Sequence, residues 1–245
     1  MGKVLVDFRE IESYKKNNMC GRPGKEGTCY YLTDDIIVKI FHIFVGNKRV
    51  YFDDIKNDFI AFPIDVYFDS MVKLETAYTM KYLAGTGLIN GFPSGARIEN
   101  VKQAYINLRK VIEEYQDINM YDMCLANILY DKSTNSFRLI DTSRWYPSNN
   151  AFSKNIEQFN NCLCYSLFRH NLDWISELSS VKELRELDKL HKLYENYLDN
   201  NFHNFQELLD TVSYEIGKKS DKKIKTFGDL AGYGDKFTKM SWFYW

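Results

Sequence analysis

The sequence predicts an α+β fold, with a small antiparallel β region first and a helical region after it. Three observations lead there. Before Ala84, apolar residues come in short β-rich runs bounded by polar turns. Two glycine-bearing breaks follow, Ala84-Gly85-Thr86-Gly87 and Gly91-Phe92-Pro93-Ser94-Gly95. Beyond them the apolar residues recur every three or four positions, the period of a helix. Strands followed by helices, rather than alternating with them, mark the α+β class.

In chain order, Tyr30-Tyr31-Leu32 and Ile36 to Phe41 read as strands joined by the polar turn Thr33-Asp34-Asp35. Ile60 to Phe68 and Lys73 to Tyr82 are two more, separated by Asp69-Ser70. Between the pairs, a short helix is expected around Arg49 to Lys56. After the break, Val101, Tyr105, Leu108, Val111, Ile112 and Tyr115 define an amphipathic helix. Asn127 to Tyr130 and Phe137 to Ile140 form a strand pair about the turn Lys132-Ser133-Thr134-Asn135. Ile156, Phe159, Leu163 and Leu167 share one helical stripe. Ser180-Val181-Lys182-Glu183 is a capping box that opens a helix through Leu184, Leu187, Leu190 and Tyr194, and Phe202 to Ile216 gives another. These elements predict one region over 1–83 and a second over 84–245, with 217–245 a polar, glycine-bearing tail. That tail ends in Trp242-Phe243-Tyr244-Trp245, an apolar liability if exposed, and is expected to dock on the helical region or on a partner chain.

Composition removes several function classes. With 45% hydrophobic and 27% charged residues, the chain reads as a soluble globular protein. A net charge of −1 argues against general nucleic-acid binding, which draws on excess Lys and Arg, and the basic run from Gly217 to Lys225 reads as a solvated segment. No apolar stretch reaches bilayer-spanning length, so no membrane partner is expected; Lys3, Asp7, Arg9 and Glu10 interrupt any signal-peptide core. The five cysteines, Cys20, Cys29, Cys124, Cys162 and Cys164, are odd in number and scattered, as suits free thiols in a reducing cytoplasm. Cys162-Leu163-Cys164 lacks a second ligand pair and reads as core packing; the four histidines have neither metal nor triad spacing. Richness in Asn, Lys, Ile, Tyr and Phe fits a low-GC bacterium or its phage.

Four signals that carry chemistry follow one another. Gly21-Arg22-Pro23-Gly24-Lys25-Glu26-Gly27 offers backbone N–H groups that can approach phosphate oxygens without Cβ interference, and it is no Walker A loop, because no Gly-Lys-Ser/Thr closes it. Lys39 interrupts the apolar run Val38-Lys39-Ile40, so it needs a counter-charge or a solvent face. Asp122-Met123-Cys124-Leu125-Ala126-Asn127 leads into Ile128-Leu129-Tyr130, and Asp141 ends the partner strand. Asp122, Asn127 and Asp141 would gather oxygen ligands at one end of the hairpin, a set suited to Mg²⁺ shared with phosphate.

These motifs, in this order, resemble the protein-kinase-like superfamily, which includes protein kinases and the aminoglycoside and choline phosphotransferases. The resemblance runs from about Cys20 to Asp141 and implies a two-lobed fold binding ATP and Mg²⁺. By it, Gly21, Gly24 and Gly27 belong to the glycine-rich loop and Lys39 anchors the phosphates. Met80 takes the gatekeeper position, and Lys81-Tyr82-Leu83 is the hinge whose backbone meets adenine. Asp122 is the catalytic aspartate, and Asn127 and Asp141 hold the metal.

The departures are specific. Met120-Tyr121 replaces the usual His-Arg, Cys124 stands where a lysine is common, and Asp141-Thr142-Ser143 replaces Asp-Phe-Gly. There is no Ala-Pro-Glu and little room for an activation loop. No glutamate lies between Glu26 and Glu75 to pair with Lys39 from a helix, so either Asp53 or Asp54 substitutes or the pair is absent. The implied activity is an atypical kinase transferring the γ-phosphate to a hydroxyl, Ser or Thr first among them. Alternatives are a pseudokinase acting as a nucleotide-binding scaffold and a small-molecule phosphotransferase; the phosphoacceptor is not given by the sequence.

Overall fold

The chain forms a mixed α+β structure whose first third is dominated by strands. The computed structural model describes residues 2–45, 57–177, 188–199, 204–220 and 223–241. In order, the early elements are β1 (Gly2–Val6), α1 (Phe8–Ser13), β2 (Gly27–Tyr31), β3 (Ile36–Val45), β4 (Pro63–Asp69) and β5 (Glu75–Lys81). The middle of the chain gives β6 (Thr86–Gly87), α2 (Ile98–Glu114), β7 (Ile118–Asn119), β8 (Ile128–Asp131), β9 (Ser136–Leu139) and β10 (Tyr146–Pro147). Helices follow: α3 (Phe152–Ser166), α4 (Trp174–Glu177), α5 (Asp188–Leu198), α6 (Phe205–Ser220) and α7 (Phe227–Ser241). The chain divides into two compact units, the first made of 1–84, 117–122 and 138–150, the second of 85–116, 123–137 and 151–245.

In the first unit, five strands pair in the order β1-β4-β5-β3-β2. All contacts are antiparallel except β1 with β4. The turns are built by side chains that satisfy local backbone donors. Thr33 Oγ1 accepts from Asp35 and Ile36, and Asp69 Oδ1 accepts from Met71 and Val72. Alternation along β3 gives each sheet face its own cluster. Val38 and Ile40 pack with Val6, Ala77 and Ile11 of α1, which covers that face. Ile37 and Phe41, on the face that also bears Lys39, pack with Val66, Tyr78, Met80 and Leu83. The sheet therefore separates a scaffolding face from the face that carries a charge.

The second unit is centred on stacked aromatic rings. Phe92 lies 4.4 Å from Phe227 and 5.6 Å from Phe205, and Tyr105 lies 5.7 Å from Phe159, all near-parallel. Each is fully buried or nearly so, and ring pairs of this kind add stability beyond their buried area. Buried Asn171 serves both backbone groups of Phe92, accepting from its N–H and donating to its carbonyl, each at 3.0 Å. The β8–β9 turn is held by Asp131, which accepts from Ser133 and Thr134.

Two regions differ from expectation. The segment beyond Gly217, expected as a polar tail, is largely helical: α6 runs on to Ser220 and α7 occupies 227–241. The cause is Phe227, whose ring inserts beside Phe92, together with a cap in which Asp229 N–H donates to Thr226 Oγ1 while Asp229 Oδ2 accepts from the Lys225 and Thr226 N–H groups. Gly234 permits the close packing, since a Cβ there would lie 2.2 Å from the Trp174 ring. Second, β1 and α1 precede the strands read from the sequence. The expected helix at 49–56, Asp53, Asp54, the capping box at 180–183 and the aromatic cluster at 242–245 lie outside the described residues. Among the described residues, no helix is long and apolar enough to cross a membrane.

Candidate active site

The glycine-bearing segment is a hairpin. Cys20 N–H donates to the Cys29 carbonyl at 2.8 Å and Tyr31 N–H to Asn18 at 3.0 Å, so 18–20 pairs with β2. Its glycines do different things. Gly21 adopts φ +78°, a conformation that L side chains rarely take. Gly24 N–H is donated to the Gly27 carbonyl at 3.0 Å and closes the tip. Gly27 sits tight against β3, where a Cβ would lie 2.4 Å from the Ile40 carbonyl oxygen.

Lys39 is 6% exposed at the centre of β3. A buried ammonium requires a partner, and Asp141 Oδ1 supplies it at 2.6 Å, across 102 positions of sequence. Ser143 Oγ donates to the same carboxylate oxygen at 2.8 Å. Glu26 Oε2 stands 4.0 Å from the ammonium, and the rings of Phe41 and Tyr78 flank it at 6.0 and 5.9 Å. Burial pushes the neighbouring Cys29 thiol up to about 11 despite the pull of Lys39, which leaves it a poor nucleophile at neutral pH.

Asp141 reaches Lys39 because the segment after β9 is tied to the sheet. Leu139 N–H donates to Phe59 and Ala61 N–H to Leu139, at 2.7 and 2.9 Å, while Thr142 Oγ1 donates to the Ala61 carbonyl. The Trp145 ring meets Phe62 edge-on. The β7–β10 ribbon then pairs Ile118 and Asn119 with Pro147 and Tyr146. That alignment lets Arg144 span two acids. Its Nε and one terminal nitrogen both donate to Glu26 Oε1, at 3.0 and 2.5 Å, and its other terminal nitrogen lies 3.5 Å from Asp122 Oδ2. Contact with Glu26 holds the guanidinium more firmly protonated than usual. Asp122, Arg144, Glu26, Lys39 and Asp141 thus form a run of alternating charge within the first unit. Both aspartates take left-handed backbone angles, φ +68° at Asp122 and +58° at Asp141.

The other expected site residues are placed as follows. Met80 and Leu83 are buried in the cluster on the Lys39 face, with Cys29 and Ile140 packed against it. Lys81 is exposed and pairs with Asp58 at 2.5 Å, which holds that carboxyl below its ordinary range. Asn127 precedes β8 in the second unit, its N–H donated to the Cys124 carbonyl. Asp141 keeps its side chain about a third exposed (31%) and offers carboxylate oxygen, the donor type a hard cation takes. Among the described residues, no group of three or more His, Cys, Asp or Glu could hold a metal by itself. Glu26 and Arg144 were not among the residues the sequence singled out. Arg144 and Glu26 lie 118 positions apart, and no spacing rule links them.

No family model matches the chain, and no curated protein matches it. Among solved structures it is similar to the Cydia pomonella granulovirus kinase PK-1, at 16% identity and a TM-score of 0.41. The match covers 57% of this chain and 58% of that one, so the chain spans less than two thirds of that kinase. A superposition this loose carries no weight for fold or activity.

Proposed function

We propose that this chain is an ATP- and Mg²⁺-dependent phosphotransferase of the two-lobed protein-kinase-like fold, moving the γ-phosphate to a hydroxyl, with protein Ser or Thr the first candidate acceptor. The observation that carries the reading is the buried Lys39–Asp141 pair at 2.6 Å. A cation in the middle of an apolar strand face is costly unless it serves a charge, and here it lies beside a glycine-bearing hairpin and an apolar cluster containing Met80 and Leu83. In this reading the apolar cluster lies against the purine, and Lys39 offers a charge to the phosphates that follow it.

In this reading the residues divide the work. Lys39 orients the phosphate tail, and Asp122 accepts the proton of the attacking hydroxyl as its oxygen bonds to the γ-phosphorus and the bond to the leaving ADP breaks. Asp141 would hold Mg²⁺, which when bound would supply charge neutralisation for the phosphates. The backbone of Lys81 and Leu83 would meet the base.

The test is transfer of labelled γ-phosphate, including autophosphorylation. Asp122→Asn removes the acid while keeping a side chain that tolerates the left-handed backbone, and it should abolish transfer with the near-UV circular dichroism unchanged. Unchanged transfer rejects the assigned role. A second reading, a nucleotide-binding pseudokinase, is favoured by the same charge run, because Lys39 and Arg144 already face carboxylates. Stabilisation by ATP–Mg²⁺ without γ-phosphate loss against protein and small-molecule acceptors would select it.

A further inference from the structure

The carboxylate of Glu26 stands between two cations, with Oε1 bonded to Arg144 through two nitrogens and Oε2 4.0 Å from Lys39. A forked guanidinium contact of this kind serves carboxylate and phosphate alike. The third guanidinium nitrogen lies 3.5 Å from Asp122. The contact is also exchangeable. The Arg144 side chain is 46% exposed and that of Glu26 28%, and ion pairs this open to water hold weakly. Glu26 is borne on the tip of a hairpin, one residue before the tight packing at Gly27.

We propose that Arg144 is a second phosphate-binding cation beside Lys39, and that Glu26 occupies the anion position between them until a nucleotide tail displaces it. This rests on the phosphotransferase reading, which supplies the nucleotide and the role of Asp122. Glu26 then acts against binding, because a phosphate must take Arg144 from it and displace its second oxygen from beside Lys39. Arg144 acts for binding, and selectively for nucleotides with a long phosphate tail. A purely structural ion pair between the hairpin and 144 would stabilise the fold and leave nucleotide affinity untouched.

Calorimetric titration of the full chain with ATP, ADP and AMP, with and without Mg²⁺ at fixed ionic strength, tests this. Arg144→Ala should weaken ATP by roughly tenfold, the scale of one charge-assisted contact, and leave AMP unchanged. Glu26→Gln should tighten ATP several-fold, and that gain should vanish in the Arg144→Ala background. Arg144→Lys, which keeps charge but loses the fork, should fall between wild type and Ala and guards against misfolding of the Ala variant. Lys39→Met supplies the reference. If Lys39→Met weakens ATP while Arg144→Ala and Glu26→Gln do not change it, the inference is overturned and the kinase reading stands. If wild type binds no ATP, or Lys39→Met has no effect, the kinase reading falls and takes the inference with it.

Discussion

The Lys39–Asp141 pair predicts an asymmetric mutational cost. Two unit charges 2.6 Å apart attract by roughly 6 kcal/mol at an effective dielectric near 20. Most of that is offset by the desolvation of the ammonium, whose side chain is 7% exposed, while the carboxylate at 31% keeps part of its hydration. Asp141→Asn strands a buried charge, with Glu26 at 4.0 Å as the remaining carboxylate. Its cost should be about 3 kcal/mol. Lys39→Met places an unbranched apolar chain among Ile37, Phe41 and Tyr78 and returns Asp141 to water, which should cost about 1 kcal/mol. The double variant should resemble Lys39→Met, giving a coupling of about 3 kcal/mol in magnitude. Urea unfolding of the four proteins measures this directly. In thermal scans, Asp141→Asn should lower Tm by roughly 6–12 °C for a chain of this size. Equal single costs that simply add would refute the ion pair as the reason these segments meet, whatever the enzyme assays say.

Two further outcomes follow from packing and capping. Gly27→Ala puts a Cβ 2.4 Å from the Ile40 carbonyl oxygen, a backbone atom with little room to move; a loss of about 1–3 kcal/mol is expected in unfolding experiments, and a neutral variant would contradict the close β2–β3 approach. Asp229 is driven up by burial but further down by donors from Lys225 and Thr226, leaving its carboxyl below the ordinary range. A depressed folded value stabilises α7 above the ordinary carboxylate range, and that contribution is lost as pH falls through the folded value. Asp229→Ala should therefore cost about 1 kcal/mol at neutral pH and converge with wild type in acid, as followed by helical circular dichroism.

Much of the sheet was legible because its information is local. Ile36 to Phe41 is a β-rich apolar run, Thr33-Asp34-Asp35 turns, and both facts are written in neighbouring residues. The parallel partner β1 was not, since pairing Gly2–Val6 with 65–69 depends on a connection that no short window contains. The helix α7 was hidden by Gly228, Gly232 and Gly234, which lower helix propensity. A signal was present in Thr226-Phe227-Gly228-Asp229, a capping box with aspartate in place of glutamate. In the site, Lys39 stood out because a charge inside an apolar strand demands an answer, and Asp141 because it ends the strand paired with the one after Asn127. Arg144 made no such demand. It lies on an exposed turn, and its meaning comes from Glu26, which only the folded chain brings near.

The left-handed angles at Asp122 and Asp141 have a consequence for laboratory evolution. Glycine would adopt both without steric cost, and asparagine nearly so, whereas each aspartate gives up a fraction of the stability that glycine would keep. At Asp122, whose side chain faces a half-exposed arginine, heat challenge alone should therefore enrich residues with no carboxylate. At Asp141 the buried ammonium resists that drift. A library screened for heat resistance and then for phosphate chemistry would pull these two positions apart, and the residue that heat removes first is the one whose retention must be selected by what the protein does.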